Sequence, residues 1–145
     1  MARSRNSNAA NDDGSCRVLV VHCQPDFAEH MARSIRFSGH EATIASTYAD
    51  AVDFAKTLHP HVVIADVGES VANGLVLAEA LRGALPGSLL MGVVDSANSA
   101  ERRSLSNAGI NRILLKPLDM IGVLSLIERW NSSGRCLDSM GECDS

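Results

Sequence analysis

Polar side chains that could carry chemistry follow four of the apolar runs in this sequence. These side chains are His22 and Cys23 after the first run, Asp66 after the third, Asp95 after the fourth and Lys116 after the fifth. A carboxylate can act as a nucleophile, an ammonium group can hold an anion, and an imidazole or a thiol can bind a metal. If the runs are parallel strands, their carboxyl ends meet at one edge of a sheet. We therefore expect these groups to form one site.

The elements that would position this site are short runs of aliphatic and β-branched residues. The five runs cover residues 18–21, 42–44, 62–64, 89–94 and 113–115. Most of them are continuous rather than alternating, which is typical of strands that are buried on both faces.

Helical patterns with their own start and stop signals lie between and after the runs. The predicted helices extend from Pro25 to Gly39, from about Thr47 to Leu58, from about Gly74 to Arg82, from the cap Asn98 to Gly109, and from near Pro117 to about Trp130. Glu101 stands three residues after Asn98, as in a capping box. Five alternating strand–helix units predict an α/β fold. The expected architecture is a flavodoxin-like (βα)5 doubly wound parallel five-stranded sheet with strand order 2-1-3-4-5.

Composition restricts the classes of function. The 145 residues predict one domain over residues 16–130, with a disordered N-terminal tail at 1–15 and a flexible C-terminal tail at 131–145. A net charge of −4 and an aromatic fraction of 3% argue against binding nucleic acid. No long apolar run or secretory signal is visible, so we expect no membrane association and a cytoplasmic location. The four cysteines lack metal-site spacing and are expected to be free thiols.

Five short motifs, in order, resemble the landmarks of a known family. They are VLVVHCQPDF at 18–27, VVIAD at 62–66, NGL at 73–75, AG at 108–109 and LLKP at 114–117. In sequence and spacing they are similar to the receiver domains of response regulators, which act in two-component phosphorelay signal transduction. The resemblance covers about residues 16–130 and implies a signalling domain rather than an enzyme.

The resemblance implies a role for two residues of the expected site. Asp66 occupies the phosphoacceptor position, and Lys116 occupies the position of the phosphoryl-binding lysine. In the family, a divalent cation is held by the acceptor aspartate and an acidic pair after strand one, and it offsets the charge of the phosphoryl oxygens. A serine or threonine after strand four then contacts the phosphoryl group and reports its presence.

Four positions depart from the family pattern, so the pocket is expected to be degenerate. His22 and Cys23 replace the acidic pair, and magnesium prefers oxygen ligands. Val94 replaces the hydroxyl residue and cannot donate a hydrogen bond. Ile113 replaces the aromatic switch residue. No cofactor is therefore expected, and magnesium binding should be weak or absent.

Three functions are consistent with these residues. The leading hypothesis is an atypical or pseudo-receiver that signals through protein contacts without magnesium-dependent phosphorylation. The alternatives are a competent receiver phosphorylated on Asp66, and a small flavodoxin-like enzyme or nucleotide-binding protein. The last lacks a glycine-rich loop after strand one, where Gln24 and Pro25 stand instead.

The substituted residues are also compatible with other roles. His22 and Cys23 could bind zinc together with Asp66, Cys23 could sense oxidation, and His22 could be a pH-responsive partner of Asp66. A simpler interpretation is that Asp66 is a structural carboxylate paired with Lys116.

Protein partners are the expected means of output. The resemblance implies a histidine kinase or an output protein that docks on helices four and five, with a homodimer through the same elements as a further option. Helix five is apolar on more than one side, with a stripe of Met120, Val123, Leu124 and Ile127 and with Ile121 and Leu126 outside it. Such a pattern suits either a wide face toward the core or a partner surface.

Overall fold

A computed structural model of the chain describes residues 14–68 and 70–132, and it confirms the predicted fold. Five parallel strands form one sheet in the order β2-β1-β3-β4-β5, and a helix follows each strand. The elements are β1 (Arg17–Val21), α1 (Pro25–Phe37), β2 (Glu41–Ala45), α2 (Tyr48–Leu58), β3 (Val62–Gly68), α3 (Val71–Ala84), β4 (Leu89–Val94), α4 (Ser99–Ala108), β5 (Arg112–Leu115) and α5 (Met120–Ser132).

The sheet separates two apolar layers. Leu19 and Val63 face the layer made with α2, α3 and α4. Val20 and Ile64 face the layer made with α1 and α5. Successive residues of a strand point to opposite faces, so continuous apolar runs such as residues 18–21 are buried on both sides, as the sequence pattern indicates.

Strand β3 and helix α3 differ from the predicted bounds next to the expected site. β3 continues past Ile64 through Asp66 to Gly68, with a bulge between Asp66 and Gly68 opposite β4. α3 begins at Val71 rather than near Gly74, because the Ser70 hydroxyl accepts a hydrogen bond from the backbone N–H of Asn73 at 3.3 Å and caps the helix. Asp66 therefore lies within strand β3 and not beyond its end.

Helix α5 also differs from the prediction at both of its ends. It begins at Met120 rather than near Pro117, and the Asp119 carboxylate accepts a hydrogen bond from the backbone N–H of Ile121 just at its start. It continues through Ser132, so Asn131 and Ser132 belong to the helix and not to the predicted tail. The rest of that tail, and residues 1–13 of the predicted N-terminal tail, lie outside the described residues.

Two buried histidines complete the hydrogen bonding at the start of β1. The backbone N–H of Cys16 donates to Nδ1 of His40, and that of Arg17 donates to Nδ1 of His61, both at 2.9 Å. Because its Nδ1 accepts, His40 carries its proton on Nε2 and donates it to Glu128 of α5 at 2.6 Å. This contact joins α5 to the loop before β2.

Across the described helices, none combines the length and the apolar character needed to cross a bilayer.

Candidate functional site

The carboxyl ends of β1, β3, β4 and β5 bring four predicted site residues together: His22, Asp66, Asp95 and Lys116. The strand ladder fixes their main chains, since the N–H of Asp95 donates to Gly68 O at 3.3 Å and the N–H of Lys116 donates to Val94 O at 3.0 Å. The convergence expected from a parallel sheet is therefore present in the structure.

Asp66 is at the centre of this cluster, and its side chain is only 11% exposed. His22 Nε2 lies 2.9 Å from Asp66 Oδ2. Lys116 Nζ donates to the same Oδ2 at 3.3 Å, and it forms an ion pair with Oδ1 at 3.1 Å that is outside hydrogen-bond geometry. Lys116 Nζ also lies 3.1 Å from Oδ1 of Asp95. One ammonium group thus links two carboxylates.

His22 contacts Asp66 as a neutral imidazole. Its Nδ1 accepts a hydrogen bond from the backbone N–H of Gln24 at 3.1 Å, so the ring proton is on Nε2, the nitrogen that lies 2.9 Å from Asp66 Oδ2. Burial lowers the pKa of His22; the nearby Asp66 charge opposes this effect and the Lys116 charge adds to it. The ring of Phe27 stacks on the imidazole with centroids 5.6 Å apart.

The charge of Lys116 is held by its two carboxylate partners. Burial acts to lower the pKa of Lys116, but its hydrogen bonds and ion pairs with Asp66 and Asp95 outweigh burial and raise that pKa above its ordinary value. The side chain is therefore a protonated ammonium at neutral pH.

Tyr48 is a member of the site that the sequence interpretation missed. Its hydroxyl donates to the backbone carbonyl of Asp66 at 3.3 Å. Burial raises the pKa of Tyr48, and the charges of Asp66 and Cys23 raise it further. The available signal was positional: Tyr48 comes three residues after Ala45, the last residue of β2, whose carboxyl end lies at the same edge of the sheet.

The residues at the positions of the family's acidic pair do not fit a magnesium ion. Cys23 is exposed, whereas the neighbouring His22 is buried and directs an N–H group, not a lone pair, at Asp66. A thiol and an imidazole are also poor ligands for this hard cation. Within residues 14–68 and 70–132, no group of three or more histidine, cysteine, aspartate and glutamate side chains is arranged to hold a metal ion.

The two remaining substituted positions are apolar parts of the core. Val94 is completely buried in the layer formed with α2, α3 and α4, and Ile113 packs against the same layer. Neither side chain can donate a hydrogen bond toward Asp66.

Similarity to known proteins agrees with the fold and with the resemblance. No family model matches the chain. It is 31% identical over 114 residues to the response regulator receiver protein Anae109_2439 of Anaeromyxobacter sp., covering 76% of this chain and 46% of that protein. It is 28% identical over 115 residues to the transcriptional regulatory protein PrrA of Mycobacterium leprae, covering 79% and 49%. The chain thus spans about half the length of these curated relatives.

A solved structure supports the same assignment at the level of the fold. The response regulator receiver domain protein (CheY-like) from Methanospirillum hungatei superposes with a TM-score of 0.74 at 20% identity, covering 83% of this chain and 96% of that one. At this identity the likeness shows the fold alone. Together with the sequence relatives, it shows that the chain is a homologue of response-regulator receiver proteins and has the CheY-like receiver fold.

Proposed function

We propose that this receiver domain passes its signal through protein contacts and without magnesium-dependent phosphorylation of Asp66. The observation that carries the proposal is the contact of 2.9 Å between His22 Nε2 and Asp66 Oδ2. It places a neutral N–H group where the family has an acidic side chain that helps to bind the cation.

The carboxylate of Asp66 is already engaged at one of its oxygens. Lys116 donates to Oδ2 and His22 Nε2 lies 2.9 Å from the same atom, which reduces access to its lone pairs, while Oδ1 accepts no hydrogen bond from a described residue. Phosphoryl transfer depends on stabilising charge on the phosphoryl oxygens. Lys116 is the positively charged side chain that the structure describes next to Asp66, and it is shared with Asp95.

The apolar residues Val94 and Ile113 support an output that does not depend on a phosphoryl group. The family reads phosphorylation through a hydroxyl and an aromatic ring at these positions. Here Val94 is buried in the core, Ile113 is partly buried against it, and neither side chain has a polar atom with which to respond. A signal of this domain would therefore depend on a surface that is present in the unmodified state.

We propose helices α4 and α5, with β5 between them in the chain, as the partner surface. Leu115 is 48% exposed at the end of β5, and Ile121 is 77% exposed in the first turn of α5. The expected partner is a histidine kinase or an output protein, in the cytoplasm. A homodimer through these elements is the alternative, and sedimentation at several protein concentrations would distinguish a monomer from it.

A phosphorylatable Asp66 is the second candidate function, and one contact favours it. Lys116 Nζ is retained within 3.1 Å of the Asp66 carboxylate, as a phosphoryl-binding lysine would be. Under this alternative, His22 would have to release Oδ2 before attack on the donor.

Intact-protein mass after incubation with a small phosphodonor tests the proposal. The wild type and Asp66→Asn are incubated with phosphoramidate, with and without magnesium, beside a receiver that has an intact acidic pair as a positive control. We expect no added phosphoryl group on the wild type while the positive control is labelled. A magnesium-dependent gain of one phosphoryl group that Asp66→Asn abolishes would instead establish the second candidate.

A further inference from the structure

Asp95 shares the ammonium group of Lys116 with Asp66. Lys116 Nζ lies 3.1 Å from an oxygen of each carboxylate. The side chain of Asp66 is 11% exposed and that of Asp95 is 41% exposed, so Asp95 is the carboxylate of the two that is more accessible to a ligand in solvent.

The sheet fixes this arrangement of charges. Asp95 directly follows β4 and Lys116 directly follows β5, and these strands are neighbours. Backbone hydrogen bonds from Asp95 to Gly68 and from Lys116 to Val94 hold the two residues in register. The strand pairing therefore brings these two side chains into contact.

The charges of the pocket do not balance. Asp66 and Asp95 are two carboxylates, Lys116 is one ammonium group, and His22 is a neutral imidazole whose Nδ1 is occupied by a backbone N–H. One negative charge remains in excess. Phosphate and phosphodonors are anions, so their approach to Asp66 is opposed by this excess and by the loss of the Lys116–Asp95 contact.

We propose that Asp95 is a specificity-determining residue that excludes anionic ligands from Asp66, both by its own charge and by retaining Lys116. This inference deepens the proposed function and rests on it, because it names a residue that opposes the approach of phosphoryl compounds to Asp66 while the acidic pair and its cation are absent. An ion pair as exposed as Lys116–Asp95 contributes little to stability. We therefore expect this ion pair to affect the binding of anions rather than the free energy of unfolding.

Titration with inorganic phosphate at low ionic strength tests this inference without requiring phosphoryl transfer. Wild type, Asp95→Asn and Asp53→Asn are compared as full chains by the initial slope of the amide chemical shifts of Asp66 and Lys116. Asp53 is an exposed carboxylate of α2, so Asp53→Asn makes the same change in net charge away from the pocket. Circular dichroism confirms that each variant is folded.

We expect Asp95→Asn to increase the slope at least about fivefold, and Asp53→Asn to leave it unchanged. Equal slopes in the wild type and Asp95→Asn, or an equal increase in Asp53→Asn, would overturn the inference. The proposed function fails by a different result, magnesium-dependent labelling of the wild type on Asp66, which leaves the comparison of phosphate slopes intact.

Discussion

His22 uses both of its ring nitrogens in the pocket, and each has a distinct role. Nδ1 accepts the backbone N–H of Gln24, which fixes the ring at the end of β1. Nε2, which carries the proton, lies 2.9 Å from Asp66 Oδ2. Protonation of Nδ1 would break the first contact and place a charge in a buried position. The site therefore favours the neutral imidazole.

The stability of the protein should depend on the protonation of His22. Burial lowers the pKa of this residue below its ordinary value of 6.5, so the unfolded chain binds the proton more readily than the folded chain does. The stabilising contribution is fully present above about pH 6.5 and is lost as the pH falls below that value. We expect His22→Gln, which keeps a donor toward Asp66, to show a shallower decline. Urea unfolding across this pH range measures it.

The exposed His30 of α1 provides the control for this prediction. His30→Gln should retain the decline of the wild type. If His22→Gln and His30→Gln unfold with the same pH dependence, His22 does not have the protonation behaviour assigned to it.

Tyr48 provides an optical probe of the charge on Asp66, because it is the one tyrosine of the chain. Burial raises its pKa first, and the Asp66 charge raises it further. We expect Asp66→Asn to lower the pKa of Tyr48, because a neutral amide no longer opposes the phenolate. An alkaline titration followed by phenolate absorbance measures the shift. Asp53→Asn should leave the midpoint unchanged, and equal midpoints in all three proteins would refute the electrostatic assignment.

Helix α3 packs closely on strand β3 at Val67, the residue that follows Asp66. A Cβ atom on Gly74 would lie 2.7 Å from Cγ1 and 2.9 Å from Cγ2 of Val67. These distances are far shorter than van der Waals contact, so the helix or the strand would have to move. Glycine at this position is therefore required by packing and not by backbone conformation.

Two glycines of the same helix allow a matched test of this packing. We expect Gly74→Ala to lower the free energy of unfolding by about 1–3 kcal/mol through the overlap with Val67. A Cβ atom on Gly83 would instead lie in open space, with no such contact within 4 Å. Gly83→Ala should therefore raise stability by about 0.5–1 kcal/mol. Urea unfolding of both variants measures the difference, and equal effects would contradict the packing argument.

Arg82 joins three elements at the other end of the sheet. Its half-buried guanidinium group donates to five acceptors: the carbonyls of Leu85, Pro86, Ser88 and Gly109, and the side-chain oxygen of Asn111. These bonds tie the end of α3 to the start of β4 and to the loop between α4 and β5.

Removal of this group should weaken the fold. We expect Arg82→Met to lower the free energy of unfolding by about 2–3 kcal/mol, because it leaves several carbonyls without their donor. Arg103→Met on the exposed face of α4 should change it by no more than about 0.5 kcal/mol. Thermal and urea unfolding give both values; a small effect at Arg82 would mean that water replaces the guanidinium without cost.

The differences between expected and observed elements have physical causes. The apolar run indicates a strand that ends in Asp66, and it could not reveal that β3 continues to Gly68 past a bulge. Proline at position 117 suggests a helix start, but the Asp119 carboxylate hydrogen bonds at the start of α5 and the helix begins three residues later. Both differences, at the end of β3 and at the start of α5, lie beside the site.

The order of the five strands in the sheet could be predicted from the sequence, whereas the directions of the side chains at its edge could not. Parallel topology alone brings His22, Asp66, Asp95 and Lys116 to one edge. It could not decide that His22 turns inward while Cys23 is exposed, because that depends on where β1 leaves the ladder. The functional roles given to these residues remain predictions.

The replacement of the acidic pair by His22 and Cys23 is the proposed reason that Asp66, in an otherwise receiver-like site, does not accept a phosphoryl group. The most direct measurement compares the wild type with the double variant His22→Asp, Cys23→Asp by intact mass, with phosphoramidate and magnesium, after circular dichroism confirms both folds. We predict that the double variant gains one phosphoryl group in a magnesium-dependent manner and that the wild type gains none. Equal labelling of the two proteins, or no labelling of either, would contradict the claim.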